Sequence, residues 1–159
     1  MEDRTDEVLA LRQQLEQLQR QREHEYYEKS PSYFQMVKHF HETYGLMISD
    51  HPLNQAEATG SGVWDLRRNL HREEWIELKD AMRRYDLVEV ADAICDLIYV
   101  LCGTAVSFGI PLDECFAEVQ RSNMSKLGYD GNPIVRDDGK ILKGPDYTPP
   151  DLRGIIYVH

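Results

Sequence analysis

The segment Val88–Ile110 restricts this chain more than any other, because it is apolar on nearly every side and still carries Glu89, Asp92 and Asp96. An apolar run of that length is either a membrane span or the innermost helix of a bundle. Acids near the centre of a spanning helix cost about 2.5–3.5 kcal/mol each, which leaves the core helix. Val90, Ala91, Ile94, Cys95, Leu97, Ile98, Val100, Leu101, Ala105 and Val106 put hydrophobes all round it, and Gly109 stops it. The spacing predicts a helix over about Leu87–Phe108, placed in the middle of an all-α fold.

The flanking segments supply helices to surround it. From Glu7 to about Tyr27, Val8, Leu11, Leu15 and Leu18 follow a 3–4–3 pattern. About two heptads are too few for an isolated coiled coil, so this amphipathic helix is expected to dock on the body or on a second subunit. After the Ser30-Pro31-Ser32 break, Phe34, Val37, His41 and Tyr44 share one face, with Ser32 as N-cap and Gly45 as stop. Leu46–Gly62, with Pro52, Gly60 and Gly62, reads as a loop. Trp64–Tyr85 reads as a helix with Leu66, Leu70, Ile76 or Trp75, Leu78 and Met82 on its apolar side. Pro111 opens a helix to about Leu127 that buries Leu112, Cys115, Phe116 and Val119. Beyond Gly128 no period persists, which predicts a tail or lid with a hairpin near Asp138-Gly139.

Charge narrows the partners. At 159 residues the chain suits one domain with appendages, and 28 acidic against 18 basic side chains leave a net charge of −10. Such a surface repels phosphate backbones and anionic lipid, so neither a nucleic-acid polymer nor a membrane is expected as the main partner. Cys95, Cys102 and Cys115 form no CxxC pair and read as buried, reduced thiols. The N-terminus lacks the build of a signal peptide, and a cytoplasmic protein is expected.

The carboxylates carry the chemistry. Glu73, Glu74 and Glu77 share one helix face, as do Glu89, Asp92 and Asp96. Arg67, Arg68, Arg72 and Lys79 lie near enough in sequence to make the first cluster an ordinary solvated face, but no basic residue lies between Arg84 and Arg121 to pair with the second. If the two helices pack antiparallel across a turn at Tyr85-Asp86, the clusters meet near the bundle interior. One hard divalent cation, or two about 3.5–4 Å apart, would neutralise them. His39, His41 and His71 form no ligand set and read as helix-face packing, and Trp64 and Tyr44 read as core aromatics more readily than as platforms for a base.

"EEWIE", followed by "DAICDLIYVLCGTAVSFGI", "FAEVQRSNMSKLG" and "DGKILKGPDYTPPDL", resembles the MazG-like all-α nucleoside triphosphate pyrophosphohydrolases, above all the single-domain phosphoribosyl-ATP-pyrophosphohydrolase-like type of bacteria and phages. The resemblance spans about Phe34 to Leu152. It implies a four- to five-helix bundle with an irregular C-terminal tail, here with an extra N-terminal helix, divided as 1–30, a catalytic core at 31–127, and a tail or lid at 128–159. A homodimer or homotetramer is implied, together with Mg²⁺ or Mn²⁺ and cleavage of an NTP to the monophosphate and pyrophosphate. The EExxE glutamates fall on Glu73, Glu74 and Glu77, and the second-helix aspartate on Asp96. The family's ExxD places Ala93 where a glutamate is usual; Asp92 keeps a carboxylate on nearly the same face, and a literal ExxD also stands at Glu89 and Asp92. The implied catalytic and metal-binding set is therefore Glu73, Glu74, Glu77, Asp92 and Asp96, with Glu73 orienting or deprotonating the attacking water. Asn123, Lys126, Lys140, Lys143 and Tyr147 are the implied substrate contacts. By analogy dUTP is preferred over dCTP or dGTP. The alternatives are a phage enzyme that modifies the dCTP or (d)GTP pool, and a non-catalytic helical module that binds metal or a partner.

Overall fold

The computed structural model describes residues 8, 11–15, 17–18, 20–21 and 30–157. The chain divides into two units, Met1–Ser32 and Tyr33–His159. In the first, residues 11–15 are helical, and Val8, Leu11, Leu15 and Leu18 are exposed; most of the helix expected over Glu7–Tyr27 lies outside the described residues. The second unit holds α1 (Tyr33–Tyr44), α2 (Gln55–Gly60), α3 (Val63–Arg84), α4 (Leu87–Phe108), α5 (Leu112–Met124) and α6 (Leu152–Ile156). Among the described residues there is no strand, only two isolated antiparallel bridges. The fold is an all-α bundle.

An antiparallel hairpin of α3 and α4 forms its centre, and α1 packs on α4. Tyr85 turns the chain in a left-handed conformation (φ 56°), and the Asp86 carboxylate accepts from the backbone N–H groups of Val88 and Glu89 to cap α4. The packed face of α4 is made of small residues: Ala93, Cys102, Gly103, Ala105 and Ser107 are buried together with Val106. Small side chains let α1 and α3 approach closely. The register sets Arg67 beside Gly103, His71 beside Val100, and Glu74 beside Asp96.

Several expectations change. The loop over Leu46–Gly62 contains α2, which a reciprocal cap starts: the Asn54 side chain accepts from the Glu57 N–H, and Glu57 accepts from the Asn54 N–H. The Asn-x-x-Glu spacing announces it. In the tail, α6 is likewise unforeseen, capped by Asp151. The α4 helix is not buried all round, for Val88, Ile94 and Leu101 are exposed, as are Leu66, Trp75, Ile76 and Met82 of α3. Phe116, expected in the core, is 70% exposed, because α5 packs chiefly against α6 and turns that side outward. Cys95 is exposed, whereas Cys102 and Cys115 are buried. By length and composition α4 is the one helix among the described residues apolar enough to cross a membrane. The expected hairpin forms: Val135 bridges Ile141, Arg136 and Lys140 pair through the backbone, and Gly139 takes φ 84°.

Candidate functional site

Glu73, Glu74 and Glu77 occupy the middle of α3, and Asp92 and Asp96 the facing stretch of α4. Glu74 is half-buried and the other four are exposed, so the acids lie at the surface and not in the bundle interior expected for them. They nevertheless converge. Partial burial raises the Glu74 carboxyl above its ordinary range, and the charges of Glu77, Asp96, Glu73 and Asp92 raise it further. None of the five forms an ion pair among the described residues.

The basic residues expected to neutralise α3 point elsewhere. Arg68 pairs with Asp65 at 3.1 Å, and Arg67 runs the other way, into the bundle. Glu89 is paired with Arg84 and is not among the charges acting on Glu74. Ala93 is buried. Position 93 therefore faces the packed side of α4, and the second-helix carboxylate that reaches the cluster comes from Asp92.

Five oxygen donors without a nitrogen or sulfur ligand fit a hard divalent cation. As placed, no three His, Cys, Asp or Glu side chains among the described residues are close enough to hold an ion. The fit is thus one of donor chemistry and of uncompensated charge.

Beside the cluster, a cavity of about 400 Å³ runs between α1, α3 and α4, with Glu74 and Asp96 at its rim and Phe40, Leu66, Tyr99 and Val100 in its walls. At its inner end the Arg67 guanidinium donates from Nη2 to His41 Nε2 (3.1 Å) and Ser107 Oγ (2.8 Å). His41 Nδ1 donates to the Met47 carbonyl at 2.8 Å, which leaves Nε2 as the bare acceptor. Burial, against the support of Met47 and with the help of Arg67, lowers the His41 pKa, so the ring is neutral. The sequence reading took His41 as packing and Arg67 as a surface charge. Separations of 26 and 40 residues hide the network from any local pattern. His71 bonds Thr104 Oγ1 at 2.7 Å; Trp64 stacks on Phe108 and Tyr44 packs on Phe40, yet both aromatics, expected in the core, are exposed on their outer sides. A larger cavity of about 570 Å³, lined by Lys38, Asp50, His51 and Glu114 among others, contains none of the expected site residues.

The expected substrate contacts form a second group. Lys126 Nζ donates to Asn123 Oδ1 at 2.7 Å, and Lys143 Nζ lies 4.3 Å from the centre of the Tyr147 ring. A hydrogen bond with Ser122, then Lys143, then Lys126, lower the Tyr147 pKa. Gly144 donates its N–H to the Lys126 carbonyl, and any Cβ there would overlap Leu127. Lys140 stays in the hairpin, with no side-chain bond to this group.

The model of the family described as phosphoribosyl-ATP pyrophosphohydrolase matches residues 37–123, from α1 to the end of α5. The chain belongs to the phosphoribosyl-ATP pyrophosphohydrolase family. This pyrophosphohydrolase is thus an enzyme of the MazG-like all-α type that hydrolyses a nucleoside triphosphate anhydride, and such enzymes use divalent metals. The match includes all five carboxylates and Asn123; Lys126, Lys140, Lys143 and Tyr147 lie beyond it. The pyrophosphohydrolase is also similar to a crystal structure from Exiguobacterium sp. 255-15, provisionally assigned as an NTP pyrophosphohydrolase. Identity is 28% over 77% of this chain and 91% of the other, with a TM-score of 0.38. No curated protein matches the chain.

Proposed function

We propose that this enzyme is a metal-dependent nucleoside triphosphate diphosphatase that hydrolyses an NTP or dNTP between the α- and β-phosphates, releasing the monophosphate and pyrophosphate, with dUTP ahead of dCTP or dGTP. The observation that carries the proposal is the convergence of Glu73, Glu77, Asp92 and Asp96 on Glu74, none of the five in an ion pair among the described residues. Glu73, Glu74, Glu77, Asp92 and Asp96 would hold the cation, and Mg²⁺ or Mn²⁺ bound there would screen charge and lower the pKa of a water. Glu73 would orient the attacking water and accept its proton, and Lys126 and Lys143, with Asn123, Lys140 and Tyr147, would contact the phosphates. A chain of net charge −10 repels a bare triphosphate, so substrate and cation bind together.

The exposed apolar residues of α3 and α4, from Trp75 and Ile76 to Leu87 and Val88, support a homodimer or homotetramer. Light scattering reads that assembly directly. The activity is tested by following pyrophosphate release from the eight common NTPs and dNTPs with Mg²⁺ and with Mn²⁺. Release from none of them defeats the proposal.

A further inference from the structure

The inner end of the 400 Å³ cavity is built unlike its rim. Arg67 is 8% exposed and His41 2% exposed. Among the described residues no carboxylate pairs with the Arg67 guanidinium; its Nη2 is used up by His41 and Ser107 and its Nε is sealed off without a hydrogen bond, which leaves Nη1, beside Gly103, as the donor open to a ligand. The Met47 carbonyl spends both lone pairs, one on His41 and one on Ser107 Oγ at 3.2 Å. Every member of the network is therefore satisfied except the arginine. A buried donor left without an acceptor is costly, and a guanidinium cannot escape by losing its proton.

The backbone makes room for this group. A Cβ on Gly103 would stand 2.7 Å from Arg67 Nη1 and 3.1 Å from His41 Nε2, so the helix opposite carries glycine where the guanidinium lies. Arg67 and Glu74 are two turns apart on α3, about 10 Å along the axis, and Phe40, Leu66, Tyr99 and Val100 line the same cavity. Its lining thus combines carboxylates, apolar and aromatic side chains and the donor-only guanidinium. The volume lies within the usual range of small-molecule pockets.

Resting on the proposed triphosphate reading, we infer that this cavity receives the nucleobase and that Arg67, held by His41 and Ser107, selects bases that present a carbonyl to it: uracil, thymine, guanine or hypoxanthine. Arginine only donates, so it donates to O4 of uracil or thymine or to O6 of guanine or hypoxanthine and opposes the N4 amino group of cytosine and the N6 amino group of adenine. His41 is a positioning residue that acts through the guanidinium.

The test needs neither metal nor turnover. Wild-type protein is titrated calorimetrically, in the presence of a chelator, with uridine and cytidine and with inosine and adenosine, each pair differing at the carbonyl or amino position. The carbonyl member of each pair should bind at least ~10-fold more tightly. Arg67→Gln, whose amide both donates and accepts, should bring the ratio near one, chiefly by improving the amino member relative to its partner. Equal binding by the wild type, or no binding of any nucleoside, overturns the inference. So does an Arg67→Gln protein that weakens both members alike and keeps the ratio, since the arginine would then only hold the fold. If Arg67→Gln does not fold, the wild-type ratios decide. A preserved preference in a protein that releases no pyrophosphate from any triphosphate would defeat the hydrolase reading and leave this one standing.

Discussion

Glu74 on α3 and Glu118 on α5 are the same residue in opposite circumstances. Glu118 accepts from Arg121 Nε at 2.8 Å and Nη2 at 2.7 Å, and from the Asp151 N–H at 2.9 Å. Arg121 reaches on to Thr148 Oγ1 and the Pro149 carbonyl, so the pair clamps the tail to α5. These bonds, led by Arg121, hold the Glu118 carboxyl down at about 2. Glu74 has four acids around it and its carboxyl is raised. A satisfied acid holds structure, whereas the acids that no described side chain satisfies are the ones proposed here to hold a cation and its substrate.

The largest effect expected from this contrast is on turnover. Asp96→Asn or Glu77→Gln should lower pyrophosphate release by more than about a hundredfold, and should abolish the rise in melting temperature that Mn²⁺ gives the wild type. Without metal, the same variants should melt at or above the wild-type temperature, because a repelling charge has been removed. A fall in metal-free melting would mean that these acids are structural, like Glu118.

Next in size is Gly103→Ala, whose Cβ must displace Arg67 or part α3 from α4. It should destabilise by about 1–3 kcal/mol in chemical denaturation. An unchanged midpoint would show that the guanidinium has room to move.

Glu118→Gln should act more weakly and locally. Amide hydrogen exchange at Thr148 and Asp151, the two amides of this segment, should quicken while the global midpoint barely moves and the response to Mn²⁺ is kept. Loss of the Mn²⁺ response would merge the two regions that the structure keeps apart.

The smallest effects are those of pH, and they run in opposite directions. Glu118 titrates lower folded than unfolded, so its stabilisation is present above the ordinary 4.5 and is lost as pH falls toward about 2. Exchange at the tail should quicken in that window. Glu74 titrates higher folded than unfolded, so its contribution favours the fold below the unfolded value and declines as pH rises through the raised one. Melting of metal-free wild type against Glu74→Gln should show that decline in the wild type alone.

Much of the catalytic face was legible in the chain because its signals are local. The α4 helix announces itself by composition and stops at Gly109, as expected, while its start is set by the Asp86 cap in the expected turn. The EExxE spacing puts three acids on one side of α3 through helical geometry alone, and a short turn forces α3 and α4 antiparallel. That much brings Glu74 opposite Asp96. The preference for Asp92 with Asp96 over the literal ExxD at Glu89 is already implied by the resemblance; what only the fold shows is that Arg84 takes Glu89 and that Ala93 faces inward.

By itself, then, the sequence determined an all-helical hairpin with an acidic face, since capping, periodicity and i, i+4 neighbours are set within a few residues. Tertiary structure alone decided which charges find partners. Arg67 left its neighbouring glutamates for His41 and Ser107, and Arg121 gathered the tail onto Glu118. Such pairings join residues tens of positions apart, and no local pattern records them, because a charge settles wherever the packed chain offers it the best-placed opposite or acceptor.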